Sequence, residues 1–249
     1  CTLVKQAPTV SYGEYADDFL TTTRRAPDAE GSDQVAVMHL RDQTTMEKKG
    51  TWDPLGMRGT CSPGFVVSAT FAPEQVHVRV LLPPGYDAAR RRYPVLYVND
   101  GQDMAAVQLR ETLAQLHGER VIRPVIVVAI DMLHDRMGTY GLSDRATGRS
   151  LPGDSRFGMV GARAHDYSEW VVHTLVPYVD AHYRTDAKPA ARTMLGWSLG
   201  ALNAFNLGWQ YPEVFGRVGA FSPSFWLAAD RGSPAAIQRT RLAQSMVDG

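Results

Sequence analysis

Ser198 stands between two glycines in the run Thr193-Met194-Leu195-Gly196-Trp197-Ser198-Leu199-Gly200. The Gly-x-Ser-x-Gly spacing is that of a nucleophile elbow, a sharp turn between a strand and a helix. Such a turn crowds the backbone, so the positions two before and two after the serine must be small. Here they are Gly196 and Gly200. The turn lifts the hydroxyl above a sheet and sets the next amide, that of Leu199, beside it as an oxyanion donor. The chemistry expected of this arrangement is acyl transfer through a covalent serine intermediate. Five residues alone are a weak signal, since an ordinary glycine-flanked turn has the same spelling. The flanks add weight: residues 191–195 read as a buried strand, and residues 199–211 as a helix ended by Pro212.

The elements that must hold Ser198 follow from the chain in order. Residues 1–34 are polar, and 21–27 and 30–33 read as loop. Strands are expected at 35–40, 65–71 and 76–82, the last from the alternation in Val76-His77-Val78-Arg79-Val80. Pro83-Pro84-Gly85 breaks it, and Arg90-Arg91-Arg92 reads as a solvated turn. Residues 93–98 are continuously apolar, as in a strand covered on both faces, and end in Asn99-Asp100-Gly101-Gln102-Asp103. A helix is predicted over 104–117, with Ala106, Leu109, Leu113 and Leu116 on one face, and a strand over 125–130. Strand, helix and strand in this order make a parallel βαβ unit.

Residues 132–164 are long, glycine-rich and read as irregular, at the strand end where α/β sheets bind ligands. Beyond them a helix is expected over 165–183, with Pro177 kinking it or removing one hydrogen bond. The elbow strand and helix come next, then a strand over 214–221 and a last helix over 234–246. The fold class is therefore α/β, a mostly parallel sheet with helices on both faces. Residues 1–62 read as an N-terminal extension and 63–249 as the main domain. The loop at 99–103, the insert after Asp131 and the elbow should share one sheet edge.

Composition narrows the function. Of 249 residues, 44% are hydrophobic, enough for a sizeable core. Lys+Arg and Asp+Glu balance at 26 each, which argues against nucleic acid or an anionic membrane as the main partner. No apolar run reaches the roughly 18 residues of a membrane span. The two cysteines, Cys1 and Cys61, are too few for a metal site; they either pair or stay free. Cys1 is either the lipid-modified first residue of a bacterial lipoprotein, with Thr2 to Ser11 as its tether, or simply the first residue shown. The first reading implies a lipid anchor and a periplasmic or extracellular place, with the cytoplasm as the alternative. His165, His173 and His182 lack the four-residue spacing of a zinc helix, and no Gly-x-x-x-x-Gly-Lys or Gly-x-Gly-x-x-Gly is present. No metal and no cofactor is expected.

Several motifs in order resemble one family. Val80-Leu81-Leu82-Pro83-Pro84-Gly85-Tyr86, Tyr93-Pro94-Val95-Leu96-Tyr97 with Asp100-Gly101-Gln102, Leu175-Val176-Pro177-Tyr178-Val179-Asp180, Gly196 to Gly200, and Tyr211-Pro212-Glu213 with Phe221-Ser222-Pro223-Ser224-Phe225-Trp226 are similar to those of the esterase D-like "putative esterase" family. The resemblance runs from about residue 76 to 226. It implies an α/β-hydrolase fold, Ser198 as nucleophile, and the amides of Gln102 and Leu199 as the oxyanion hole. It implies a substrate contact at Asp100, and it matches Arg136 and Tyr140 to an Arg and Tyr before the family's variable loop. Trp197 and Trp226 either line the substrate pocket or pack the core. The expected substrate is a mid-sized ester, an acylated sugar or siderophore; the alternatives are acyl transfer by the same fold and an inactive binding protein.

One departure stands out. The family's triad runs serine, acid, histidine along the chain. The seven histidines are His39, His77, His117, His134, His165, His173 and His182, and none follows Ser198. Glu213, Asp230 and Asp248 do follow it. Either the last strands, with acid and base, lie outside the residues shown, or there is no conventional triad and the protein is inactive or recruits a histidine such as His134 from the insert.

Overall fold

A computed structural model describes the backbone of residues 18–24, 34–40 and 65–67 and the complete residues 76–132 and 135–248. The chain forms two compact units, 1–55 and 56–249. In the first, β1 (Asp18–Arg24) pairs antiparallel with β2 (Gln34–Leu40), Asp18 facing Leu40. The expected loop at 21–27 is thus corrected over Thr21 to Arg24: β-branched threonines suit an extended backbone.

The second unit begins with β3 (Phe65–Val67), β4 (Val76–Leu81) and β5 (Val95–Asn99). Then come α1 (Leu109–Gly118) and β6 (Ile126–Ile130). The insert holds α2 (Arg136–Thr139), β7 (Leu142–Asp144), β8 (Arg149–Leu151), β9 (Gly153–Ser155) and β10 (Gly158–Val160). A long helix follows as α3 (Ala164–Trp170), a π turn at Val171–Leu175 and α4 (Val176–His182). The elbow joins β11 (Arg192–Trp197) to α5 (Leu199–Gln210), and β12 (Arg217–Phe221), α6 (Pro234–Arg239) and α7 (Leu242–Asp248) complete the unit.

Six strands form one sheet in the order β12-β11-β5-β6-β4-β3. The four from β12 to β6 are parallel, while β4 and β3 run antiparallel to their neighbours. Parallel strands bring their carboxyl ends to one edge, so the turns after β5, β6 and β11 meet there. All five residues of β5 and of β6 are buried, as their unbroken apolar runs require. On one face Val78, Val80, Val95, Tyr97, Ile126, Val128 and Met194 pack with Leu175 of the π turn, Val179 of α4 and Leu202 of α5. On the other, Leu96, Val98, Val127, Ala129 and Leu195 meet Leu109 and Leu113 of α1. Each fully buried large aliphatic side chain contributes about 1.5–3 kcal/mol. Helices thus cover both faces. Among the described residues no strand follows β12, which lies at the sheet's edge with Phe221 exposed. Among the described residues, no helix is long and apolar enough to cross a membrane.

Three expectations need correction. The helix predicted from Met104 starts at Leu109, because Gln108 adopts the left-handed φ of 52°, which a right-handed helix cannot run through. The insert is not irregular: β7–β8 and β9–β10 are two short hairpins, turned with Gly148 at φ 64° and Gly158 at φ 110°. The last helix is two, since Ala229 N bonds Thr240 O and Leu242 N bonds Leu227 O, and these pairings interrupt the helical ladder. The helix at 165–183 does meet an irregularity beside Pro177. The missing proline N–H is accommodated by the wider π turn just before it.

Candidate active site

Ser198 has φ 56° and ψ −120°, a conformation that costs a non-glycine residue about 1–3 kcal/mol. Its surroundings hold it there. Ser198 N donates to Phe221 O (3.0 Å), while Ser198 O accepts from Leu202 N (3.1 Å) and Ser224 N (3.2 Å). The close approach that demands small residues is direct. A Cβ on Gly196 would lie 2.4 Å from the Gly200 carbonyl carbon, and one on Gly200 would lie 2.6 Å from Asp100 Oδ2. The elbow therefore touches the loop after β5, as sheet order requires. Ser198 is exposed, and its Oγ lies 3.4 Å from the hydroxyl of the buried Ser224.

The loop after β5 is tied down at both ends of its first turn. Asn99 Nδ2 donates to Gly200 O (2.9 Å) and to Asn203 Oδ1 (3.0 Å), and Asn99 Oδ1 accepts from Tyr167 Oη (2.7 Å). Asp100 sits at a left-handed φ of 56° with its side chain wholly buried. Arg136 grips it with two bonds, Nε to Oδ1 at 2.8 Å and Nη2 to Oδ2 at 2.7 Å. Asp100 N donates to Tyr140 Oη (2.9 Å). Burial works against the Arg136 charge, but the Asp100 carboxylate outweighs it and holds the guanidinium above its ordinary range. Burial, then neighbouring Tyr167 and the Asp100 charge, push the Tyr140 phenol well up, so it stays neutral. Gln102 is fixed by its side chain, whose Oε1 accepts from Met132 N (2.9 Å).

Asp100, expected to contact substrate, has both oxygens bonded to Arg136 and no exposed side-chain surface, and in this arrangement it anchors the loop. Arg136, matched by resemblance only, turns out to be that anchor's partner, and its Nη2 also reaches Trp197 O at 3.4 Å. Trp197 is half-buried against the apolar cluster on the α1 side, and Trp226 is exposed. His134 and both cysteines lie outside the described residues. Among the described histidines, His173 pairs with Glu169 and His182 stacks on Tyr178, and none is bonded to Ser198. No cluster of three or more metal-ligating His, Cys, Asp or Glu side chains occurs among the described residues.

Sequence reasoning missed Ser224, Asn99 and Asn206. Asn206, on α5 two turns past the elbow, accepts from Ser143 N (2.8 Å) and donates to Ser143 Oγ (2.9 Å) and Ser168 Oγ (3.1 Å). One turn further, Gln210 Oε1 accepts from Arg145 N (3.1 Å). The helix that follows Ser198 thus also holds the insert, at Ser143 of β7 and at Arg145 just beyond it. The available signal was polar residues at four-residue spacing on an otherwise apolar helix.

A family model described as "Putative esterase" matches residues 68–245. The chain is 27% identical over 151 residues to the uncharacterized protein YbbA of Bacillus subtilis, covering 58% of this chain and 55% of that one. It is 28% identical over 170 residues to an endo-1,4-beta-xylanase/feruloyl esterase of Xylanibacter ruminicola, covering 64% of this chain and 21% of that one. The chain thus spans about half or less of these two relatives. Among solved structures, the enterobactin esterase of Shigella flexneri in the presence of 2,3-dihydroxy-N-benzoyl-serine superposes with a TM-score of 0.57 at 18% identity, over 86% of this chain and 48% of that one. This likeness shows the shared α/β-hydrolase fold.

Proposed function

Because this chain belongs to the "Putative esterase" family, we propose that it is a serine carboxylic-ester hydrolase with Ser198 as its nucleophile. The observation that carries this reading is the exposed hydroxyl of Ser198 on a strained turn at the sheet edge. In this reading a general base takes the Ser198 proton as Oγ adds to the ester carbonyl carbon, and the tetrahedral intermediate expels the alcohol, which takes up that proton, to leave an acyl-enzyme. Water then attacks the acyl carbon and releases the acid and Ser198.

Two amides serve the oxyanion. Leu199 occupies the first position of α5, where the helix gives its N–H no partner. In the turn after β5, Asp103 N bonds Asp100 O and Met104 N bonds Gly101 O, and neither bond uses the Gln102 amide. Losing one such donor costs a hydrolase about 2.7–4 kcal/mol of barrier reduction. The substrate is a mid-sized ester of the feruloyl-sugar or siderophore kind, in keeping with the names of the relatives, with exposed Trp226 against its acyl group.

The test is labelling of the folded chain with a fluorophosphonate, alongside hydrolysis of an activated aryl ester. Labelling should map to Ser198 and disappear, with turnover, in Ser198→Ala. A folded, full-length protein that is neither labelled nor active would overturn the proposal and favour a ligand-binding role.

A further inference from the structure

We propose that Arg79 is a positioning residue for the oxyanion hole, acting through the Gly101–Gln102 peptide. The inference rests on the ester-hydrolase reading of Ser198 and the Gln102 amide.

Arg79 lies on β4, two strands away from β5 in the sheet. Its Nη2 donates to Gly101 O at 2.8 Å and to Asp131 Oδ1 at 2.6 Å. Gly101 O and Gln102 N belong to one peptide unit. That unit is planar and trans, so its C=O and N–H point in opposite directions. A guanidinium fixing the oxygen on the β4 side therefore aims the N–H away from β4, toward the β11 side where the elbow stands. A positive charge on the carbonyl also draws electron density from the amide and makes its N–H a stronger donor.

The contact has a built path. A Cβ at Gly101 would lie 2.8 Å from both Ala129 C and Ile130 N, so only glycine lets this loop rest on β6. Ala129 is the residue paired with Arg79 across the β4–β6 ladder. The loop therefore comes down at the one register position that Arg79 flanks. Asp131, just past the end of β6, accepts from the same Nη2, and Asp131 N is bonded to His77 O (2.9 Å). The Gln102 side chain adds a second fixing point through Met132 N. Arg79 itself lies beyond β6 from Ser198 and acts on the reaction only through this peptide.

The experiment compares the full chain with Arg79→Met and Arg79→Lys in two measurements. The first is the 15N resonance of the Gln102 amide, which responds to the hydrogen bond on the carbonyl of its own peptide. The second is kcat and KM on an activated aryl ester, with the rate of phosphonylation of Ser198. Arg79→Met should move the Gln102 resonance and lower kcat and the phosphonylation rate by about tenfold to a hundredfold, the scale of a misplaced catalytic group. KM should stay within about twofold, as expected for a group felt mainly in the transition state. Arg79→Lys should recover most of the rate. A folded Arg79→Met chain with an unmoved Gln102 resonance, or a moved resonance with an unchanged rate, overturns the assignment. A folded, full-length wild-type protein that is not labelled at Ser198 overturns the hydrolase reading, and the assignment to Arg79 with it.

Discussion

Removing Arg136 should damage the fold more than neutralising its partner. Arg136→Met leaves the Asp100 carboxylate with no exposed surface and no counter-ion, while Asp100→Asn leaves a guanidinium that is 32% exposed and can turn toward water. Breaking a buried pair so that one charge is stranded costs about 3–5 kcal/mol. Losing a charge-assisted bond with both ends still solvated or satisfied costs about 1.5–3 kcal/mol. Asparagine also tolerates the left-handed backbone at position 100, so that substitution adds no strain. For a unit of this size 1 kcal/mol moves the melting temperature by about 2–4 °C, so Arg136→Met should lower Tm by about 6–20 °C. In the double variant the stranded charge is gone, and it should be more stable than Arg136→Met alone. The assay is a double-mutant cycle from denaturant unfolding followed by tryptophan fluorescence. An Asp100→Asn variant at least as unstable as Arg136→Met, or strict additivity in the cycle, would refute the reasoning.

Other outcomes follow from single contacts. Gly196→Ala places a methyl group 2.4 Å from the Gly200 backbone, so unfolding should come about 1–3 kcal/mol or more easier, and fluorophosphonate labelling of Ser198 should fall sharply in the chain that remains folded. Tyr97, Tyr140 and Tyr167 are pushed up by burial, and Tyr211 by burial and then its bond to Glu169. Their folded pKa values exceed the unfolded value of about 10, so the stability they contribute is intact below that pH and drains away above it. Absorbance at 295 nm should show these four of the 10 tyrosines ionising only as the chain unfolds in alkali.

The parts of the fold legible in the sequence were those written in neighbouring residues. The elbow showed through Gly196 and Gly200, and the two buried strands through apolar runs ending at Asn99 and Asp131. Features made by distant residues did not show. Nothing local to Asp100 reveals that Arg136, 36 residues on, will bury it. The alternation of β4 explains why Arg79 faces away from Val78 and Val80, but not that Gly101 will come to rest beside it. The hairpins of the insert escaped notice because strands of three residues leave too few alternations to count. Gln108 gave no warning of its left-handed turn, since glutamine ordinarily favours helix.

The grip of α5 on β7 has a wider meaning for how such a chain changes over time. Asn206 and Gln210 hold the backbone of Ser143 and Arg145, so the insert and Ser198 share one frame of reference. The far hairpin tip, with Phe157 and Met159 in open solvent, stands clear of that mount. Residues there can be exchanged for others without touching the bonds that tie the insert to α5, so the surface of that hairpin is able to vary while Ser198 keeps its place.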